Sequence, residues 1–188
     1  SIFGYDPQYY FTPRAPLEAA AMGVKLNPTD VAFRCNLITL SSTGERALME
    51  DFSAGHISTE EAREIITDLG KSLGNSVFNF YPGVSYRHLL VWRNGEKSVA
   101  LKTTPPHDIL NKPIKKFLPE GAESEFILSL MERARAILEH HDINTVRIDM
   151  KENPANAIWL WGQGVAPSLP SFEERFGVKG SIISAVDL

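Results

Sequence analysis

The chain has 188 residues, 43% of them hydrophobic, with 19 basic and 23 acidic side chains. That composition supports a packed core in one domain or two small ones, and the acidic excess excludes a broad electrostatic footprint for nucleic acid. The single cysteine, Cys35, excludes an intrachain disulfide and fits a reducing compartment.

No apolar run is long enough to span a bilayer, and "SIFGYDPQYY" lacks the basic start and apolar stretch of a signal peptide. No membrane partner is expected, and the cytoplasm is the expected location. The chain opens without Met and stops on the strand-like "GSIISAVDL". Both ends read as cut from a larger protein, because complete chains more often finish in polar residues.

In chain order, "APLEAAAMG" predicts a short helix, with Pro16 in its first turn and Gly23 at its stop. "DVAFRCNLITL" (30–40) alternates as a strand. "STEEAREIITDLGKSLG" predicts a long helix. Ser58 and Glu61 form its capping box, and Ala62, Ile65, Ile66, Leu69 and Leu73 its apolar face. Tyr81-Pro82-Gly83 predicts a turn into a strand over 85–92, and Asn94-Gly95 a hairpin into a second strand, "KSVALKT". "SEFILSLMERARAILEHH" predicts a second long helix. A strand follows around "AIWLW", then a short helix capped by Ser171 and Glu174 and closed by Gly177, then a final strand. The fold class expected is α+β: a two-layer sandwich with a mixed, mainly antiparallel sheet and helices packed on one face.

Strand alternation places Arg87 and His88 on opposite sides of the sheet, so the two cannot both be plain core. Arg34 and Asn36 likewise oppose the Val31, Phe33, Cys35 and Leu37 face. Two strands that each present an arginine can build an anion site, since the guanidinium fork matches a carboxylate or phosphate. The plainer alternative pairs Arg34 and Arg87 with Asp or Glu across the sheet. His107 follows two prolines, which can stiffen a loop for ligand contact, while Asp108 can equally cap a following helix. His56 precedes a capped helix, where it can share an anion with the helix N-terminus or make only a local hydrogen bond. In "NPANAIWLWGQG", Asn153, Asn156 and Gln163 can rim a cleft, or Trp159 and Trp161 can simply be core. The motifs of P-loops, nucleophile elbows and His-Glu-x-x-His zinc sites are missing, and the histidines lack metal-ligand spacing.

Taken together, "GYDP", "RAPLEAAAMGV", "DVAFRCNL", "SAGHISTEEAR", "FYPGVSYRHLLVW", "TTPPHDI" and "NPANAIWLWGQG…PSLPSFEERFGVKGSIISAVDL" resemble the archaeal-type, cofactor-independent phosphoglycerate mutases of the alkaline phosphatase superfamily. The resemblance runs over essentially the whole chain. It implies a parent about twice this length. Its core would hold two divalent metals (Mn, Mg or Zn) and a phosphoryl-carrying serine, and a second domain is inserted into that core.

Residues 1–188 resemble the inserted domain, with 1–15 and 180–188 as linkers to the metal core and the serine just upstream of Ser1. No catalytic residue, metal ligand or cofactor is then expected within this chain. The resemblance implies Arg34, Arg87 and His107 as contacts to a small phosphorylated acid, with Arg14, His56, His88, Asn153 and Asn156 as further candidates. The partner is the metal core, and a homo-oligomer of the full enzyme stays open. The family's Thr-Gly-Arg-Gly-Pro reads Thr12-Pro13-Arg14-Ala15-Pro16 here, which restricts the backbone. That variant also resembles a bacterial branch proposed to act as a homoserine kinase. A homoserine-kinase-like phosphotransferase and a non-catalytic binding module are the alternatives to a mutase.

Overall fold

The computed structural model describes residues 5, 6, 8, 12–41, 47–168 and 170–179. They group into two compact units, one of residues 13–166 and one drawn from 1–12 and 167–188.

The larger unit is organised by strand β1 (Val31–Leu40), which is buried at every position. Four more strands complete the sheet: β2 (Met49–Asp51), β3 (Phe78–Val84), β4 (Arg87–Trp92) and β5 (Ala157–Gly164). β1 pairs with β4 and β5 along its length and with β2 at its end, while β3 pairs with β4. Every ladder among the described residues is antiparallel. Four helices belong to this unit: α1 (Arg14–Ala21), α2 (Thr59–Leu73), α3 (Ser124–Leu138) and α4 (Asp142–Asp149).

The two long helices pack on one face of the sheet, as the α+β reading expects. There α2 contributes Ala62, Ile65, Ile66, Leu69 and Leu73, and α3 contributes Ile127, Leu130, Ala134 and Leu138. They meet Val31, Phe33, Cys35 and Leu37 of β1. α2 starts at the expected capping box, in which Ser58 Oγ accepts from Glu61 N–H and the Glu61 carboxylate accepts from Ser58 N–H. Such a cap is worth about 1 kcal/mol. The opposite face is covered by α1 and by irregular segments. Ala15 and Ala19 of α1 rest on Ala32 and Leu89. α1 lies close because β5 carries Gly164, where a Cβ would come 2.9 Å from Pro16 Cγ and 3.1 Å from Pro13 Cδ.

Three local readings change. Tyr81-Pro82-Gly83 lies inside β3, at an irregularity in its ladder with β4. The turn falls two residues later, where Ser85 takes a positive φ and is held by Ile57 O and Thr59 Oγ1. β3 pairs only with β4 among the described strands, so a proline costs no ladder bond on its other side. "KSVALKT" is not the second arm of a hairpin. Gly95 packs under the Trp92 ring, Ser98 N–H donates to Gly95 O, and Glu96–Ala100 closes as a 3-10 turn. Asp108 caps no helix, because His107 and Asp108 lie within another 3-10 turn, Pro106–Ile109. α4 and β2 carry no clear sequence pattern: α4 buries Asn144 and Arg147 while Val146, Ile148 and Met150 stay exposed.

In the smaller unit, helix α5 (Phe172–Phe176) has the expected Ser171/Glu174 capping box and ends on Gly177 at positive φ. Tyr5 joins the two chain segments. Its hydroxyl donates to Pro170 O at 2.9 Å, and its ring lies 4.7 Å from the Arg175 guanidinium. The expected final strand lies outside the described residues.

Two features of the larger unit give stability predictions. His88 sits on the helix-bearing face, 1% exposed, and its Nδ1 accepts from Gly83 N–H at 3.0 Å. Burial lowers its pKa to about 3, from 6.5. The unfolded chain therefore binds a proton that the folded one refuses. Stability from this source is complete above pH 6.5 and is lost as pH falls toward 3. Chemical denaturation across pH 4–6 should show unfolding free energy dropping by up to about 1.4 kcal/mol per pH unit, and His88→Gln should flatten that slope.

Asp51 organises the loop after β2. It accepts from Ser53 N–H and Oγ, Gly55 N–H and Asn153 Nδ2. Burial alone would raise its pKa, but these bonds outweigh it and hold the pKa below 3.8. Asp51→Ala should cost about 2 kcal/mol, with the largest gain in amide exchange at Ser53 and Gly55.

Candidate functional site

The face opposite the long helices carries most of the candidate side chains. Register puts Arg34 opposite Leu89 and Asn36 opposite Arg87 on β4, and opposite Trp161 and Trp159 on β5. Arg34 and Arg87 are thus diagonal neighbours on one face. Alternation separates them from His88, which lies beneath the sheet among the helices.

Arg34 is 4% exposed. Its Nε lies 3.1 Å from Glu18 Oε2, an ionic contact without hydrogen-bond alignment. Its guanidinium stacks 4.8 Å from the centre of the Trp161 ring. Nε is buried without a hydrogen-bond partner, and no hydrogen bond among the described residues uses the terminal nitrogens of Arg34. Burial lowers the Arg34 pKa; Glu18 opposes that effect, while the charges of Arg14 and Arg87 add to it. Arg34 therefore pairs with a helix carboxylate, not across the sheet as the plainer alternative supposed. Arg87 is exposed, has no ion pair among the described residues, and lies 5.7 Å from the Tyr86 ring. Arg14 opens α1, 3.9 Å from the other carboxylate oxygen of Glu18.

His107 is held over the same face by its loop. Trp159 Nε1 donates to Thr104 O at 2.8 Å, and Gly162 N–H donates to Thr103 Oγ1 at 3.3 Å. Thr103 in turn donates to Gln163 Oε1, whose Nε2 donates to Leu101 O. These bonds gather at an irregularity in β5 where Gly162 has φ +62°, a backbone shape suited to glycine. The strapped loop, stiffened by Pro105 and Pro106, places the exposed His107 ring 5.5 Å from Trp161 and 6.2 Å from Phe52. Trp161 is fixed in turn by donating Nε1–H to Asn36 Oδ1 at 3.1 Å.

His56 reaches the rim through Tyr86, 6.3 Å from its ring, and Tyr86 contacts Phe52 at 6.0 Å. Ala54, Gly55 and His56 all have positive φ. Two non-glycine residues in that region store strain, which surrounding contacts must hold. Asp51 supplies one set of contacts and Arg147 another, donating Nη2 to Ala54 O and Nε to Asn153 O while pairing with Glu61 and Glu152.

Asn153 thus acts on the His56 loop through Asp51. Asn156 spends its amide on Leu40, donating to its carbonyl and accepting from its N–H. Arg34, Arg87, His107 and His56 gather around one aromatic cluster with Arg14 beside Glu18, whereas His88, Asn153 and Asn156 engage the framework. Sequence reasoning did not single out Glu18, Asn36 or Thr103 as site residues. Only their spacing from Arg14, Arg34 and His107 hinted at a role.

Among the described residues no group of three or more His, Cys, Asp or Glu side chains could hold a metal ion. None of the described helices is long and apolar enough to cross a membrane. The arrangement brings guanidinium donors, an imidazole and aromatic walls together.

Residues 1–144 match the family model of 2,3-bisphosphoglycerate-independent phosphoglycerate mutase. A Methanosarcina barkeri 2,3-bisphosphoglycerate-independent phosphoglycerate mutase is 50% identical over all 188 residues, which cover 46% of that protein. A Geobacter sulfurreducens protein named "Probable 2,3-bisphosphoglycerate-independent phosphoglycerate mutase" is also 50% identical, with 47% of its length covered. The solved cofactor-independent phosphoglycerate mutase of Thermoplasma acidophilum superposes with a TM-score of 0.68 at 27% identity, over 94% of this chain and 48% of that one. The chain spans about half the length of the relatives it matches. On the family match over residues 1–144 and the 50% identity along its whole length, the chain belongs to the 2,3-bisphosphoglycerate-independent phosphoglycerate mutase family.

Proposed function

We propose that this chain is the substrate-holding domain of a cytoplasmic phosphoglycerate mutase that interconverts 3-phosphoglycerate and 2-phosphoglycerate through a phosphoserine. One observation carries the reading. Arg34 is almost wholly buried, its Nε lies buried without a hydrogen-bond partner, no hydrogen bond among the described residues uses its terminal nitrogens, and it shares a face with Arg87. A protein does not bury a cation and leave its donors unused without cost. A ligand with a phosphate and a carboxylate supplies the missing acceptors.

The division of labour follows from the chemistry. Phosphoryl transfer depends mainly on positioning and charge stabilisation. The phosphorylatable serine and the two divalent metals belong to the rest of the parent. This domain supplies Arg34 and Arg87 as charge-assisted donors to the acid, with His107 at hydrogen-bonding reach of the same ligand and Arg14 and His56 at the rim. Holding the glycerate while the phosphoryl group rests on serine lets one substrate be rephosphorylated at its other oxygen. Residues 1–15 and 180–188 connect this domain to the metal core, and the pairing of Tyr5 with Pro170 and Arg175 supports an exit and a return through neighbouring segments.

Pro13 and Ala15 favour retaining a second substrate reading, a homoserine-kinase-like transfer on the same scaffold. Pro13 sits against Gly164 and Ala15 is fully buried, so the Arg14 loop is tightened onto β5.

Assays of the full-length parent with 3-phosphoglycerate, and with homoserine plus ATP, separate the two substrates. Arg87→Ala in that parent should lower kcat/KM with the true substrate by roughly tenfold to a hundredfold, since a charge-assisted bond is worth about 1.5–3 kcal/mol. Its melting temperature should not move, because Arg87 is exposed. This chain alone should show no turnover. A loss of less than twofold would remove Arg87 from the site.

A further inference from the structure

Glu18 is a carboxylate inside a site that otherwise gathers positive charge. A surface glutamate there would repel an anionic ligand and compete with it for the arginines. Its placement indicates a different role. One oxygen meets Arg34 at Nε and the other faces Nε of Arg14 at 3.9 Å. The Nε edge is the side of a guanidinium that would otherwise offer a side-on, two-point contact to an anion. Trp161 covers a flat face of the same group. With one edge and one face taken, the two terminal nitrogens are what Arg34 presents. They make no hydrogen bond among the described residues, while Nε meets Glu18 as an ionic contact only.

We propose that Glu18 is a positioning residue that turns Arg34 end-on, so that its terminal nitrogens make a two-point contact with a carboxylate or phosphate of the ligand. The inference rests on the anion-site reading above. Glu18 also offsets the crowding of Arg14, Arg34 and Arg87, whose mutual repulsion works against a charged Arg34 in a buried setting. α1 delivers Glu18 because Ala15 and Ala19 lock that helix onto Ala32 and Leu89, and because Gly164 admits the two prolines. Glu18 does not touch the ligand, so its effect passes through Arg34.

The sign of one substitution separates positioning from competition. Glu18→Gln keeps the shape and removes the negative charge. On charge alone it should tighten anion binding; if Glu18 orients Arg34, it should weaken it. Equilibrium binding of 3-phosphoglycerate to the full-length parent is measured for the wild type, Glu18→Gln, Glu18→Asp and Arg87→Ala, with melting temperatures to confirm folding. Positioning predicts about tenfold weaker binding for Glu18→Gln and partial recovery in Glu18→Asp, with the loss persisting at high salt. Unchanged or tighter binding by folded Glu18→Gln overturns the proposal. If Arg87→Ala weakens binding in that same experiment, the anion site stands and only the role of Glu18 falls. If Arg87→Ala has no effect, the site reading fails and the Glu18 proposal fails with it.

Discussion

A guanidinium in the middle of the central strand is the constraint around which this domain is arranged. β1 is buried on both faces along its whole length, and Arg34 occupies its fourth position. Leaving such a charge without a counter-charge costs roughly 3–5 kcal/mol. The structure answers with one carboxylate from α1 and one indole face from β5. The long helices compensate on the other face, where an apolar layer interrupted by His88 supplies the burial that offsets a polar centre.

The elements around Arg34 are fixed by hydrogen bonds as well as by apolar contact. The His107 loop anchors Ile109 in the core. It is tied to β5 through Trp159, Gly162 and Gln163, so that strand sets both the position of the Trp161 ring and that of the imidazole beside it. The His56 loop is tied through Asp51 and Arg147, which carry three consecutive residues at positive φ. Asn153, read as a cleft rim, belongs to that second set of ties.

Elements with a strong period and a cap were legible. β1, α2 and α3 announce themselves by apolar spacing, and the Ser58 and Ser171 boxes form as their sequences imply. Alternation alone also separates Arg87 from His88. What could not be read depends on partners distant in sequence. Tyr81-Pro82-Gly83 has turn chemistry, but an irregularity in the β3 ladder accepts it within a strand. "KSVALKT" alternates like a strand, but the Trp92–Gly95 packing curls the chain first. α4 hides because its buried residues are polar, held by Leu138 and Ala155 around Asn144 and by Glu61 around Arg147. The grouping of Arg14, Arg34, Arg87 and His107 on one face needed the register of β1 with β4 and β5, which no local pattern contains.

The central claim is that ligand enters on the Arg34 face. The three indole N–H groups of this domain report on it independently. Trp161 stacks on Arg34, Trp159 donates to the His107 loop, and Trp92 lies on the helix face beside Phe78 and Phe126. An amide and indole NMR titration of the full-length parent with 3-phosphoglycerate reads all three at once. The account predicts a saturable shift of the Trp161 indole with Trp92 unmoved. A Trp161 signal that stays in place at saturation, or a shift confined to Trp92, would contradict it.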